Sequence, residues 1–373
     1  MSNLIQSTPR ADGFRMPAEW EPHSGCWMLW PQRRDTWRNG GKPAQFAFVE
    51  VAAQISRFEP VTMGVNADQF VNARAMLPPQ VRVLEISNND AWLRDSGATF
   101  VVNDSGAARG VDWTFNAWGG LQKMMYRPWD QDDLVPAKML EIESLDRYKA
   151  PLVMEGGSFH VDGQGTLITT EQCLLHPNRN PDMSKADIEQ HLADYLNISR
   201  IIWLPRGVYE DETDGHVDNL CCFVRPGVLA LTWTDDRGDP QFERSAEAYD
   251  ALRSALDAKG RPLEVRKIHQ PDPMAMTEEE ASGLDVVADA LLRPAGERLA
   301  GSYINFYIAN GAIILPQFDD RHDQAASQTL AQLFPDREVL GIRAREILLG
   351  GGNIHCITQQ QPAARPKLTE RES

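Results

Sequence analysis

Long apolar runs are missing from this chain, and with them any membrane span. No hydrophobic stretch approaches the ~20 residues that a transmembrane helix needs. Residues Met1 to Gly25 hold no apolar h-region, so no signal peptide is expected. Cysteine is scarce. Cys26, Cys173, Cys221, Cys222 and Cys356 are odd in number and show no C-x-x-C spacing. That argues against a disulfide framework or a structural zinc site, and fits a reducing cytoplasm. Positive charge is also short: 37 Lys and Arg stand against 53 Asp and Glu, a net charge of −16. Nucleic acid and an anionic membrane are therefore not expected as partners, while a cationic substrate is compatible.

What is present is ordinary for a soluble globular protein. Apolar residues make up 42% of the 373 and charged residues 24%, enough for a large core. Near the end lies Glu346-Ile-Leu-Leu-Gly-Gly-Gly-Asn-Ile-His-Cys356-Ile-Thr-Gln-Gln-Gln-Pro362. Ile347, Leu348 and Leu349 read as a short buried strand running into three glycines. Glycines let a backbone approach another group closely, so Cys356 is a thiol that something must reach. Its ordinary alternative is a buried structural cysteine.

A pattern of apolar run, turn and apolar run recurs at Phe100–Phe115, Ser158–Thr169, Leu220–Thr232 and Tyr303–Leu315. Asp-Gly, Pro-Gly or Asn-Gly marks three of the turns, the signature of a hairpin. A fifth, truncated member, Ile347–Thr358, runs out of chain before a second strand. Helical periods lie between them, at 43–58, Ala67–Met76, Ser184–Leu196, Glu243–Ala258 and Asp323–Phe334. Residues 43–58 place Phe46, Val49, Ala53 and Phe58 on one side. Asn66 is a candidate N-cap, and Ser184 with Asp187 forms a capping box in all but the Glu. Single strands are expected at Cys26–Trp30, Val61–Val65, Val81–Ile86, Ile201–Leu204, Leu263–Ile268 and Glu338–Ile342. The unit is hairpin, helix, strand, used about five times. It is read as an α/β repeat closed into a ring, since an open array would leave edge strands; an ordinary mixed sheet is the alternative. The expected domain is 1–362, with a polar, disordered tail at 363–373.

The chemical residues stand at equivalent places, beside glycine at the entry to a hairpin. They are Asp95 before the first, Glu155 before the second, His216 and Asp218 before the third, and Cys356 in the fifth. On a strand, His216 and Asp218 would point the same way. Singly, each has an ordinary reading: a turn residue, a strand-end charge, a hydrogen-bonded histidine, an Asx turn. Together, in a ring, they would face one end of the axis.

The motifs Trp92-Leu-Arg-Asp95-Ser-Gly, Phe115-Asn-Ala-Trp118-Gly-Gly, Glu155-Gly-Gly-Ser, Glu212-Thr-Asp-Gly-His216-Val-Asp218-Asn and the Cys356 motif carry a resemblance. From about Met16 to Pro362 the sequence resembles the agmatine deiminases of the guanidine-modifying superfamily. The resemblance implies a five-bladed pseudo-symmetric α/β propeller of ββαβ-type repeats. It implies conversion of agmatine and water to N-carbamoylputrescine and ammonia, a step towards putrescine. Leu121 follows Trp118-Gly-Gly where the pattern leads one to expect a polar residue.

The chemistry so implied asks for these residue types. Asp95 and Asp218 would grip the planar guanidinium through charge-assisted hydrogen bonds. Glu155 would take a further N–H or orient His216. Cys356 would attack the central carbon, and His216 would protonate the leaving ammonia and then activate water. Trp92 and Trp118 would wall an aliphatic slot, and Glu212 would meet the distal ammonium. No metal and no organic cofactor is needed. A homodimer or higher homo-oligomer is compatible with the chain. Rival readings are a deiminase of free or peptidyl arginine, an amidinotransferase, a metal-dependent hydrolase using His216, Asp218, Asp95 and Glu155, and a non-catalytic ligand-binding protein.

Overall fold

The computed structural model describes residues 2–364. Five of its sheets are built alike. In each, two antiparallel strands are followed by a helix and a third strand that lies parallel to the second. The first pairs Thr99–Asn103 with Ala108–Thr114, then Arg147–Val153. The second pairs Phe159–Val161 with Thr166–Thr170, then Arg200–Leu204. The third joins Cys221–Arg225, Val228–Trp233 and Glu264–His269. The fourth joins Tyr307–Ala309, Ala312–Gln317 and Glu338–Arg343. Gly227 and Gly311 sit in two of the turns at φ +76° and +91°, where a side chain would be strained.

The fifth sheet takes its strands from both ends of the chain. Thr358–Pro362 pairs antiparallel with His23–Leu29, which lies parallel to Val61–Val65. The truncated fifth repeat is thus completed by the aromatic N-terminal segment. The result is a mixed α/β fold of several sheets. Among the described residues no helix is long and apolar enough to cross a membrane. The tail expected at 363–373 lies outside the described residues, apart from Ala363 and Ala364.

Local signals hold where they are self-contained. Ser184 and Asp187 form a complete capping box on the helix Lys185–Leu196, with both reciprocal bonds made. Asn66 does not cap by its side chain; its amide donates to the Asn88 carbonyl at 2.9 Å instead. Three expectations need correction. The helix Lys42–Ile55 buries Phe48, Val51, Ala52 and Ile55, whereas Phe46 is 67% exposed. Both faces carry apolar residues, so only the packing partner decides between them. Ile347 and Leu348 lie in a helical turn, Arg345–Leu348, and not in a strand. The turn is pinned at its start by Arg345 to Glu280 and Glu346 to Arg38, both at 2.6 Å. His216 and Asp218 are not on a strand either; Val217–Asn219 is a turn of 3-10 helix.

Candidate active site

Short turns, not strands, carry the chemistry. Asp95 sits in the helical turn Leu93–Ser96, Glu155 immediately precedes the 3-10 turn Gly156–Ser158, and His216 immediately precedes Val217–Asn219. Cys356 follows the glycine loop. The Gly157 N–H donates to Asp95 Oδ1 and the Trp118 indole N–H to Asp95 Oδ2, both at 2.8 Å. His216 Nδ1 stands 3.8 Å from Asp95 Oδ2, and Nε2 stands 3.6 Å from Glu155 Oε2. The Arg179 Nε–H donates to Glu155 Oε1 at 2.7 Å. The Cys356 thiol lies 3.5 Å from Asp218 Oδ2. Asn305 accepts the His355 and Cys356 N–H groups on its Oδ1, which turns its Nδ2 toward Cys356 Sγ at 3.2 Å. The structure therefore brings together all five predicted reacting residues, and all five are buried.

Glycine makes this convergence fit. A Cβ on Gly157 would lie 2.6 Å from His216 Nδ1 and 2.9 Å from carboxylate oxygens of Asp218 and Asp95. One on Gly352 would lie 2.6 Å from the Trp92 ring and 3.1 Å from Cys356 Sγ.

The same crowding of acids sets the ionisation. Burial, with Asp218 and Glu155 nearby, pushes Asp95 up to about 6 against the pull of His216. Burial acts on Asp218 too, but His355, His216 and Arg94 outweigh it and hold that carboxyl below the usual range. Glu155 is likewise lowered, burial being overcome by Arg179 and His216. Burial alone would lower His216; Asp95, Cys173 and Glu155 raise it well above the ordinary histidine range. Burial, then Asp218 and Asp95, drives the Cys356 thiol well above the ordinary cysteine value. Both shifts favour a neutral Cys356 thiol and a cationic His216 imidazole within the one site. Glu155 Oε2, Asp218 Oδ1 and both His216 ring nitrogens are buried without a hydrogen-bonding protein partner.

Asp95, His216 and Cys356 line a pocket walled by Trp92 and Trp118; Glu155 and Asp218 stand against His216 and Cys356 without lining it. Trp92 stacks on Trp37, ring centroids 4.9 Å apart, and donates its indole N–H to Asp90 Oδ2 at 3.1 Å. Glu212 also lines the cavity, but both of its oxygens accept from Arg293, at 2.9 and 2.6 Å. The metal reading required Asp95, Glu155, His216 and Asp218 to share one ion. The donors within 4.8 Å of one another here are Glu155, Cys173 and His216, and the Arg179 cation already occupies the other Glu155 oxygen.

The model of the Porphyromonas-type peptidyl-arginine deiminases matches residues 15–362. The chain belongs to that family. Two members are agmatine deiminases of Pseudomonas aeruginosa and Pseudomonas putida. The first is 59% identical over 367 residues, 98% of this chain and all of that protein. The second is 57% identical over 361 residues, 96% of this chain and 98% of its own. Among solved structures, the agmatine deiminase of Enterococcus faecalis superposes with a TM-score of 0.95. It is 49% identical and covers 98% of this chain and 100% of its own. The agmatine deiminase of C. jejuni, 24% identical, shares the fold with a TM-score of 0.79 over 94% of this chain and 97% of its own.

Several residues at this family site escaped the sequence reading. Arg94 and His355 stand inside quoted motifs, next to Asp95 and Cys356, and their charge was the available signal. Asn305 precedes a hairpin, as the reacting residues do. Arg293 and Asp90 lie in irregular segments where no pattern marks them, and only the fold brings them to the cavity.

Proposed function

We propose that this chain hydrolyses agmatine to N-carbamoylputrescine and ammonia through a covalent amidino-cysteine. The carrying observation is Cys356 with Asp95 and His216 in the lining of a cavity walled by two indoles, and Asp218 3.5 Å from the Cys356 sulfur. Asp95 and Asp218 grip the guanidinium, their free lone pairs accepting its N–H groups. Both are buried, so each contact is stronger than in water. Arrival of this cation beside Cys356 favours the thiolate, and the thiol proton passes to solvent. Sulfur then attacks the guanidine carbon and forms the C–S bond. His216, cationic at rest, gives its proton to the departing nitrogen, the C–N bond breaks, and ammonia leaves. Neutral His216 next takes a proton from water, whose oxygen attacks the amidino carbon. The C–S bond breaks, the new C–OH gives up its proton to become the product C=O, and the departing sulfur takes a proton to restore the neutral thiol. Glu155, anchored by Arg179, orients His216.

Agmatine is favoured over arginine by what lines the cavity. An α-carboxylate needs a free cation, and Arg293 there is neutralised by Glu212. Each Glu212 oxygen accepts one bond from Arg293 and keeps a second lone pair, which the distal ammonium of agmatine would meet, with Trp92 and Trp118 along its methylenes. The repeated units support closure into a five-bladed pseudo-symmetric propeller, the fifth unit joining the two ends of the chain, and one catalytic domain over 1–362. The five free, buried cysteines support a cytoplasmic place of action. Ammonia release is to be compared for agmatine, free arginine and a blocked arginine peptide. Preference for agmatine with one ammonia per turnover is expected. Turnover of either arginine substrate at equal kcat/KM, or amidino transfer to an added amine without ammonia, would overturn the reading.

A further inference from the structure

Asp218 has a second set of neighbours that do not line the substrate cavity: His355, Glu19, Arg94 and His160. His355 Nδ1 lies 2.9 Å from Asp218 Oδ2, and its Nε2 lies 3.0 and 3.1 Å from the two Glu19 oxygens. Ionised carboxylates only accept, so both ring nitrogens donate and His355 is an imidazolium. Glu19 is also met by Arg94 Nη1 at 3.3 Å and His160 Nε2 at 3.5 Å. The Phe223 N–H donates to His160 Nδ1 at 3.3 Å. That fixes the His160 proton on Nε2, pointing at Glu19, and leaves the ring neutral. The charges then close: Asp218 and Glu19 negative, His355 and Arg94 positive. All five side chains are buried. Glu19, His160 and His355 are close enough to hold a metal ion. Yet the lone pair of His160 is committed to Phe223, and both His355 nitrogens are committed to carboxylates.

We infer that His355 is a positioning residue for the deimination: a buried imidazolium, held by Glu19, that keeps Asp218 ionised and aimed at the guanidinium. This rests on the role given to Asp218 above. With Oδ2 fixed by His355, Oδ1 is the oxygen left for substrate. Asp95 is the internal comparison. It is equally buried and lies in the same acidic site, but its nearest imidazole, His216, stands 3.8 Å away without a hydrogen bond, and burial pushes it up to about 6. Asp218 is held below the ordinary range. The groups facing Asp218 are the cations His355, Arg94 and His216, the carboxyls of Asp95 and Asp211, and the thiols of Cys356 and Cys222. Removing the His355 charge leaves two buried carboxylates competing to stay ionised, and such a pair separates its titrations by protonating one member at higher pH.

The test is the pH profile of kcat/KM for agmatine in the wild type and in His355→Gln. A carboxylate held low is ionised above its pKa and lost as pH falls through it. The wild-type acid limb should therefore report Asp95 alone, a single proton near pH 6. In His355→Gln the Asp218 pKa rises, so the limb should move to higher pH and steepen towards two protons. The loss relative to wild type should be at least about tenfold greater at pH 6 than at pH 8.5. A loss of the same factor at both pH values would mean mere structural damage and overturn the inference. Thermal unfolding checks that the variant is folded. If it is not, Glu19→Gln carries the test, since it removes the anion that keeps His355 charged and should shift the limb the same way by less. A wild-type protein that releases no ammonia from agmatine would overturn the functional reading instead.

Discussion

Adding one methyl group at Gly157 should disable the site without replacing any of the proposed reacting side chains. The residue is not in the left-handed backbone region, so alanine there meets a shortage of space alone. Its Cβ would stand 2.6 Å from His216 Nδ1, 2.9 Å from Asp218 Oδ2 and 2.9 Å from Asp95 Oδ1. Ordinary contact is about 3.5 Å, so these groups must retreat by roughly 0.6–0.9 Å. Neither carboxylate is free to move, because Asp95 is tied to Trp118 and to the Gly157 N–H itself, and Asp218 to His355; His216 is fully buried between acids. Reacting groups misplaced by about 1 Å cost on the order of 10²-fold in rate. That corresponds to about 2.7 kcal/mol of transition-state stabilisation. Overpacking should also lower stability by about 1–3 kcal/mol. The assay is ammonia release from agmatine by Gly157→Ala, with thermal unfolding measured in parallel. A folded variant whose kcat/KM stays within threefold of wild type would refute the claim that these three groups act from their observed positions.

The remaining predictions concern the thiol and the far end of the cavity. Cys356→Ser should lose turnover yet still bind agmatine, because the grip belongs to the carboxylates; calorimetry and an ammonia assay read the two separately, and residual turnover near wild type would remove the nucleophile. With the thiol raised well above its ordinary range by burial and by Asp218 and Asp95, the thiolate is a small minority at pH 7. Iodoacetamide inactivation of free enzyme should then climb with pH without levelling below pH 9, and an apparent pKa under 7 would mean a preformed Cys356–His216 ion pair. Glu212→Gln should raise KM for agmatine about tenfold or more, since it removes one anion and frees the Arg293 cation to repel the ammonium. A simple alkylguanidine should be much less affected; equal effects on both would remove Glu212 from ammonium binding.

The sequence determined the repeating unit, because period-2 and period-3.6 patterns with turn glycines are local signals that need no partner. It also singled out the side chains that the fold gathers at one site, since a thiol, a histidine and three acids each stand beside glycine at an equivalent place. It could not choose the buried face of Lys42–Ile55, where both faces are apolar and packing decides. It could not tell a strand from a helical turn at Ile347 and Leu348, because two or three apolar residues fit either. Nor could it show that His23–Leu29 completes the sheet begun by Thr358–Pro362, for register across the whole length of the chain is written in no local pattern. Charge state was decided last of all. His355 and Glu19 are 336 positions apart, and only the fold buries them together at a distance where their charges fix the ionisation of Asp218.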